Sequence, residues 1–277
     1  MLGEGPLWWP ERQCLLFVDI KAPALLTWSA SEGGHRYPLP AEIGCIVHRR
    51  AGGFIGALRE GITEISLAPV ATRTLFPFEP ELPSNRPNDG KCDPQGRFWV
   101  ASMDDAVQAP SGAIWRINTD LTLDRMASGY IVGNGFGWNR NASRMYFTDS
   151  EKRTIFAYDF DPVTGSLGER HVFVQTSDDA GYPDGLCVDA EDYVWSAHWD
   201  GARVTRYRPD GRVDRVVQMP VLRPTSVAFG GADLNRLYIT SASIGLDEAQ
   251  LASYPLSGGL FEIDVGVQGV PESKFGG

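Results

Sequence analysis

The chain has 277 residues, of which 43% are hydrophobic, with 31 glycines and 19 prolines. This length and composition are ordinary for a closed all-β domain, and no linker divides the sequence, so we expect one domain over residues 1–277. A formal net charge of −10 argues against a nucleic acid or an anionic membrane as a partner, because both bind basic surfaces.

The cysteines and the start of the chain give no sign of an oxidising or membrane environment. The four cysteines are dispersed without a Cys-x-x-Cys pair: Cys14, Cys45, Cys92 and Cys187. Neither a disulfide framework nor a thiolate zinc site is therefore indicated. The chain opens without a basic segment or an apolar run of signal-peptide length, and no run is long enough to span a membrane. We expect a cytoplasmic protein.

Six short apolar segments of one kind recur in chain order, at 15–19, 54–58, 98–102, 145–149, 194–198 and 237–241. Their starts are 39 to 49 residues apart, a period typical of the four-stranded blade of a propeller. Further strands follow four of them, at 113–117, 155–159, 204–207 and 260–263. In these the apolar and polar residues alternate, as expected if burial declines outward. The sequence predicts an all-β, six-bladed β-propeller.

A short polar signature precedes each of these six segments. Counting back ten to twelve residues gives Glu4, Gly44, Asn88, Asn134, Asp184 and Thr225. Because equivalent positions in a closed ring lie at equivalent heights, we expect the acidic and carboxamide members to converge at one mouth of the central channel. Two carboxylates among carboxamides are costly to desolvate, and a bound cation is the usual compensation.

The far ends of the six segments should surround the same mouth, one strand further out. Candidates there for the pocket wall or for supporting contacts are Asp19, Ser102, Met103, Asp149, His198, Trp199 and Ser241. We expect Asp19 and Asp149 to brace backbone or loops around the site. His198 is explained equally well as a packed wall residue or as a catalytic base.

Five motifs occur in the order found in a known family. They are LGEGPLW at 2–8, NRPNDGK at 85–91, GNGFGW at 133–138, YFTDS at 146–150 and YPDGL at 182–186. Together they resemble the family of senescence marker protein (regucalcin), gluconolactonase and luciferin-regenerating enzyme. Through 85–89, 182–185 and 251–259 the resemblance is nearest to bacterial sugar-acid lactonases of the xylonolactonase and arabinonolactonase kind.

That resemblance implies a site and an activity. Glu4, Asn134 and Asp184 would bind one divalent cation, and Asp184 would also accept and donate the proton. Arg86 and Asn88 would hold the substrate, a small sugar lactone that is hydrolysed to its aldonic acid. Some relatives carry a substrate-contacting glutamate in the loop after the third repeated segment, whereas residues 104–111 contain none. Asp105 and Gln108 are both candidates to replace it, so the preferred sugar stays open.

The residues alone agree with this chemistry. Two carboxylates and a carboxamide oxygen are hard ligands that suit Ca²⁺, Mg²⁺ or Mn²⁺ and tolerate Zn²⁺ or Fe²⁺, so the metal is not chosen by the sequence. An open cation would polarise the lactone carbonyl while a carboxylate takes a proton from water. No Gly-x-Ser-x-Gly or His-Glu-x-x-His motif is present, which removes serine-hydrolase and zinc-protease interpretations.

Two other functions remain open at this point. The same cation and base would serve a hydrolase of other esters or of phosphotriesters. A non-enzymatic calcium-binding propeller would use the channel mouth only as a stabilising ion site. The presence of Arg86 and Asn88 beside the cation favours an enzyme, since a structural ion needs neither.

The start of the chain bears on the last blade. Only Met1 precedes Leu2, whereas the resemblance implies a longer segment that supplies the outer strand of the last blade. We expect that strand to be missing, which gives a three-stranded, open-edged sixth blade. Glu4 would then sit on a nearly free terminus.

Overall fold

Twenty-three strands form six antiparallel sheets, one for each repeat. The structure is a computed structural model and describes residues 1–277. Blade 1 contains β1 (Gly3–Trp9), β2 (Cys14–Asp19), β3 (Ala24–Ser29) and β4 (Gly33–Pro38). Blade 2 contains β5 (Ile43–His48), β6 (Phe54–Leu58), β7 (Gly61–Leu67) and β8 (Val70–Phe76). Blade 3 contains β9 (Asn85–Cys92), β10 (Phe98–Asp104), β11 (Gly112–Ile117) and β12 (Leu123–Tyr130).

The second half of the ring repeats this plan. Blade 4 contains β13 (Gly133–Trp138), β14 (Arg144–Asp149), β15 (Thr154–Asp161) and β16 (Ser166–Gln175). Blade 5 contains β17 (Tyr182–Val188), β18 (Val194–Trp199), β19 (Arg203–Tyr207) and β20 (Val213–Gln218). Blade 6 contains β21 (Pro224–Gly230), β22 (Arg236–Ser241) and β23 (Phe261–Asp264). The predicted six-bladed β-propeller is confirmed.

The six repeated apolar segments are the second strands of the blades, β2, β6, β10, β14, β18 and β22. Every residue of β2, β6 and β10 is buried, because both faces of these strands pack against neighbouring blades. The outer strands β4, β8 and β20 are polar and largely exposed. Burial therefore declines outward, as the alternation in the sequence predicts.

A β-bulge interrupts the innermost strand of every blade at the same height. The pairing register shifts between Glu4 and Leu7, Ile43 and Cys45, Pro87 and Asp89, Asn134 and Phe136, Pro183 and Leu186, and Pro224 and Ser226. A bulge bends its strand and re-aims a side chain. The six positions found in the sequence coincide with these bulges, and five of the six carry a side chain that the bulge can re-aim.

Gly44, the member of this set in blade 2, lies where no side chain fits. A Cβ at this position would lie 2.5 Å from the Pro87 carbonyl oxygen and 2.8 Å from the Asn88 nitrogen. Blade 2 therefore contributes only backbone to the ring and lets β9 approach closely.

Gly44→Ala is expected to displace β9, to cost about 1–3 kcal/mol of unfolding free energy and to misplace Arg86 and Asn88. Denaturant unfolding and a lactone hydrolysis assay would measure both effects. Gly34→Ala is the control, because the nearest atom to its Cβ would be the Thr27 oxygen at 3.8 Å. Equal effects of the two substitutions would contradict this account.

Blade 6 has three strands, and β23 pairs only with β22, which confirms that part of the prediction. The expectation of a nearly free terminus is wrong. The Met1 carbonyl accepts hydrogen bonds from the Ser243 and Ile244 amides at 3.0 and 3.2 Å, and Leu2 forms a β-bridge with Ala242. The Leu2 amide also donates to Asp19 at 3.1 Å. Glu4 is therefore fixed between blades 1 and 6.

The two ends of the channel differ. Residues after β23 cross the end opposite the bulges, where Gly269 bridges Asp189 and Phe275 bridges Arg49. Phe275 is fully buried there, and Lys91 of β9 pairs with Glu272 at 3.0 Å. A small cavity of about 20 Å³, lined in part by Asp89 and Lys91, lies between the two ends. A separate cavity of about 240 Å³, lined in part by Lys91 and Glu272, lies at the end opposite the bulges.

One short α-helix, α1 (Glu248–Ser253), lies in the long connection after β22 and was not predicted. Asp247 and Gln250 form a capping box at its start, a signature that satisfies two free backbone amides. None of the helices has the length and apolar character needed to cross a bilayer.

Candidate functional site

A cavity of about 370 Å³ opens at the end of the channel where the bulges lie. Its lining includes seven residues proposed from the sequence: Glu4, Arg86, Asn88, Met103, Asp105, Asn134 and Asp184. These come from blades 1, 3, 4 and 5. The convergence expected from the repeat is therefore present in the structure.

Two carboxylates lie buried at the bottom of this cavity. Glu4 is 6% exposed and Asp184 is 4% exposed. Burial, together with the neighbouring charges of Asp184 and Asp89, raises the pKa of Glu4 well above its usual value. Burial and the charge of Asp89 raise the pKa of Asp184 in the same way. Among the neighbouring charges that mainly shift these two pKa values, Arg86 is the one that is positive, and it lowers both.

Asn134 connects the acid pair to blade 4. Its side-chain nitrogen donates to Asp184 and, at 3.2 Å, to the Ser150 hydroxyl. The neighbouring Gly135 has a φ of +41°, and a Cβ there would lie 2.7 Å from Thr148 Oγ1. Glycine at this position lets the bulge turn the Asn134 side chain inward.

This donor set fits a hard divalent cation. Two carboxylates and one carboxamide lie together with little compensating positive charge, and burial makes the uncompensated state costly. A divalent cation bound to oxygen ligands removes that cost. The residues suited to hold it are Glu4, Asn134 and Asp184.

Asp89 lies beneath the pair and was not selected from the sequence. It accepts hydrogen bonds from the Gly90 and Gly135 amides at 2.7 and 2.8 Å, and burial raises its pKa. A sequence signal for Asp89 was available, because the residue follows Asn88 inside the motif at 85–91. In the structure Asp89 is 8% exposed. Its carboxylate adds negative charge below the site, which strengthens the case for a bound cation.

Arg86 and Asn88 form one wall as a connected unit. Arg86 Nη1 donates to Asn88 Oδ1 at 2.6 Å, and Asn88 Nδ2 donates to the Gly133 carbonyl at 3.1 Å. Arg86 Nε donates to Asp105 at 2.7 Å. Both side chains are thus held before any ligand arrives, as required for a preorganised binding wall.

Asp19 and Asp149 do not line the cavity and instead hold backbone near it. Asp19 Oδ1 accepts from the Leu2 and Ala22 amides, and Asp149 accepts from the Ile131 and Val132 amides. The two residues occupy equivalent positions in blades 1 and 4. Each fixes the segment that leads into the strand bearing a proposed ligand.

His198 lies outside the cavity lining. Its Nδ1 is 2.9 Å from the Ala180 carbonyl oxygen, and its Nε2 is 3.2 Å from the Tyr207 hydroxyl. The side chain is fully buried, and burial lowers its pKa to about 4. The structure therefore supports neither a catalytic base nor a residue of the cavity wall, and His198 is instead packed behind the lining.

His198 is expected to make the protein less stable in mild acid. Because its folded pKa of about 4 lies below the ordinary value near 6.5, only the unfolded chain takes up a proton between these values. Stability is full above about pH 6.5 and falls with pH, by about 2 kcal/mol from this group at pH 5. In His198→Gln, denaturant unfolding at pH 8 and pH 5 should show a smaller loss. The exposed His35→Gln should not differ from the parent, and an unchanged loss in His198→Gln would contradict the assignment.

Trp199, which the repeat places at the mouth, also lines the cavity. Other lining residues were not proposed from the sequence, among them Lys21 and Tyr182. Lys21 lies two residues after the end of β2, and its type suggested no chemistry by itself. Tyr182 precedes Asp184 in the motif at 182–186 and lies beneath Arg153, whose guanidinium carbon is 3.8 Å from the ring centroid.

Known proteins resemble this chain over most of its length. The model of the SMP-30/Gluconolactonase/LRE-like region matches residues 2–243. A 6-deoxy-6-sulfogluconolactonase from Pseudomonas putida is 35% identical, with 100% of this chain and 96% of the relative covered. A pentonolactonase from Haloferax volcanii is 33% identical, with 99% and 94% covered. The crystal structure of a calcium-binding protein, regucalcin, from Agrobacterium tumefaciens is 26% identical with a TM-score of 0.95, and 99% and 93% of the two chains are covered. With its six blades, its bulge-borne acid pair and these similarities, the chain belongs to the SMP-30, gluconolactonase and luciferin-regenerating enzyme family.

Proposed function

We propose that this protein is a divalent-metal-dependent hydrolase that opens a sugar lactone to the aldonic acid. The observation that carries the proposal is one cavity that is lined both by a buried acid pair and by the preorganised wall of Arg86 and Asn88. Relatives named as lactonases support the reaction class. Aldono-1,4- and 1,5-lactones such as xylono-, arabinono- and gluconolactone are the substrates of matching size and polarity.

Glu4, Asn134 and Asp184 would hold the cation, which when bound polarises the lactone carbonyl and stabilises negative charge on its oxygen. Asp184 accepts a proton from the attacking water and returns it to the ring oxygen that leaves. Its carboxylate is kept in place by the Asn134 amide and by the bulge at residues 183–186. No covalent intermediate is required.

Arg86 and Asn88 orient the sugar. Arg86 donates to Asn88 and Asp105, so its remaining N–H groups and the cavity side of the Asn88 amide are available to hydroxyl oxygens of the substrate. Binding energy from the hydroxyls is thereby used to place the ester carbon against the acid pair.

Two alternatives are separated by one set of assays. A hydrolase of other esters or phosphotriesters would turn over paraoxon better than gluconolactone, xylonolactone or arabinonolactone. A calcium-binding propeller without activity, an alternative supported by the calcium-binding regucalcin structure, would bind the ion and hydrolyse none of them. Elemental analysis of the purified protein, followed by lactone hydrolysis with each metal restored, tests the cofactor and the activity together.

Arg86→Ala and Asn88→Ala are expected to impair lactone hydrolysis through KM and kcat while leaving the bound metal unchanged. Both residues contact the proposed substrate position and neither belongs to the donor set. Steady-state kinetics and metal analysis would measure the two effects separately. Arg140→Ala, at the opposite end of the channel, is the control for removal of a guanidinium. Loss of metal in both cavity variants would instead assign these residues to the metal site or to folding.

A further inference from the structure

Beside the cavity, the Asp105 carboxylate forms ion pairs with three basic side chains, each from a different blade. Lys21 Nζ lies 2.8 Å from Asp105 Oδ1, and Arg86 Nε lies 2.7 Å from the same oxygen. Arg59 donates to Asp105 Oδ2. Lys21 follows β2 of blade 1, Arg59 follows β6 of blade 2, and Arg86 lies in β9 of blade 3. A single carboxylate therefore forms ion pairs with three basic side chains that the fold places on one side of the mouth.

None of these cations is free in this arrangement. Glu42 also binds Lys21 at 3.0 Å and Arg59 at 2.8 Å, so each of the two has two carboxylate partners. Partial burial alone would raise the pKa of Asp105, but hydrogen bonds from Lys21 and Arg86 hold it well below its usual range. The carboxylate is ionised at neutral pH. Asp105 and Glu42 together place two negative charges against the three positive charges of Lys21, Arg59 and Arg86, which leaves an excess of one positive charge instead of two without Asp105.

The rest of the cavity is acidic. Its lining contains five carboxylates and two basic side chains, Lys21 and Arg86. Besides Asp105, the carboxylates are Glu4, Glu151, Asp184 and Asp200. A bound divalent cation would reduce this excess of negative charge without removing it. The lining carboxylates repel an acidic group on a substrate, and the two basic side chains that line the cavity, Lys21 and Arg86, are already paired with Asp105.

We propose that Asp105 makes the site selective for neutral lactones, by occupying the cations that would otherwise bind an acidic group on the substrate. This inference rests on the proposed function and names the substrate class of the same site. Without the Asp105 charge, Lys21 and Arg59 share only Glu42, and Arg86 has lost its carboxylate partner. That side of the cavity then becomes basic and attracts anions at short range. Asp105 acts here as a specificity residue through the cations it holds.

The selectivity also affects the product. Opening the lactone converts a neutral substrate into an anion, and the charge of Asp105 adds to the negative potential of the cavity that holds this product. Asp105→Asn is therefore expected to bind aldonate more tightly and to show stronger product inhibition.

The test compares two lactones that differ only at C6, where glucono-1,4-lactone carries a hydroxymethyl group and glucaro-1,4-lactone carries a carboxylate. We expect the parent to prefer the neutral lactone by at least tenfold in kcat/KM, and Asp105→Asn to reduce that preference by about tenfold or more. Asp105→Glu, which keeps the charge, should retain the parental preference. Adding Lys21→Met to Asp105→Asn should remove part of the gain, because the freed cation is then gone.

A second readout does not depend on turnover. Calorimetry with gluconate and glucarate should show at least tenfold tighter binding of glucarate to Asp105→Asn than to the parent, whereas Asp124→Asn, remote from the cavity, should match the parent. A parent that hydrolyses neither of these lactones, nor xylonolactone or arabinonolactone, would refute the proposed function, and the calorimetry would still decide the role of Asp105. An unchanged lactone preference together with unchanged glucarate affinity in Asp105→Asn would overturn the inference.

Discussion

Replacing Asp184 with Asn is expected to lower lactone turnover by about 10²-fold or more, with the cation still bound and the fold intact. The amide keeps an oxygen at the position of one carboxylate oxygen, so it can still contact a cation. It cannot accept the proton of the attacking water at neutral pH. In the metal-free protein the buried Asp184 carboxylate lacks a compensating cation, so the neutral substitute should not lower the stability of that form.

Turnover, metal content and Tm are the three measurements for this variant. Asp179→Asn makes the same chemical change five residues earlier on an exposed turn and should leave all three near the parental values. A near-parental rate in Asp184→Asn with metal still bound would remove Asp184 from the role of base. Loss of the metal would show instead that both carboxylate oxygens are needed to hold the cation.

The fold could be predicted from the sequence because its repeat is directly visible. The segments at 15–19, 54–58 and 145–149 lie within β2, β6 and β14, since strands buried on both faces require continuous apolar runs. Counting back from them located the bulges, because a ring places equivalent residues at equivalent heights. The spacing of the repeat alone therefore predicts that Glu4, Asn134 and Asp184 converge on one site.

The charge network around the mouth could not be predicted in the same way. Lys21, Arg59 and Asp105 follow the ends of second strands in blades 1, 2 and 3, so their approximate height was implied by the repeat. Which of them meet depends on how each loop turns, and surface charges at such ends are usually solvated. The contacts that hold Met1 and Leu2 to blade 6 were missed for a similar reason, since backbone hydrogen bonds between distant segments leave no pattern in side-chain types.

Removing the divalent cation is expected to abolish lactone hydrolysis beyond the spontaneous rate and to lower Tm, and only some metals should restore both. Linkage predicts that a cation at 100 times its Kd adds about 2.7 kcal/mol to the unfolding free energy, which chelation then removes. Full activity in metal-free protein would rule out the mechanism.

Glu4→Gln tests the physical basis of that dependence. In the metal-free state the substitution removes one of two buried carboxylates, so we expect the variant to be more stable than the metal-free parent by about 1–2 kcal/mol. With metal present the order should reverse, because the variant has lost a charged ligand and binds the cation weakly. Denaturant unfolding of both proteins, with and without chelator, gives the four values needed. Glu11→Gln, at an exposed residue that pairs with Lys274, should show the parental response to chelator. If Glu4→Gln instead destabilised the protein equally in both states, Glu4 would be a structural residue, and the acid pair would owe its burial to packing rather than to a cation.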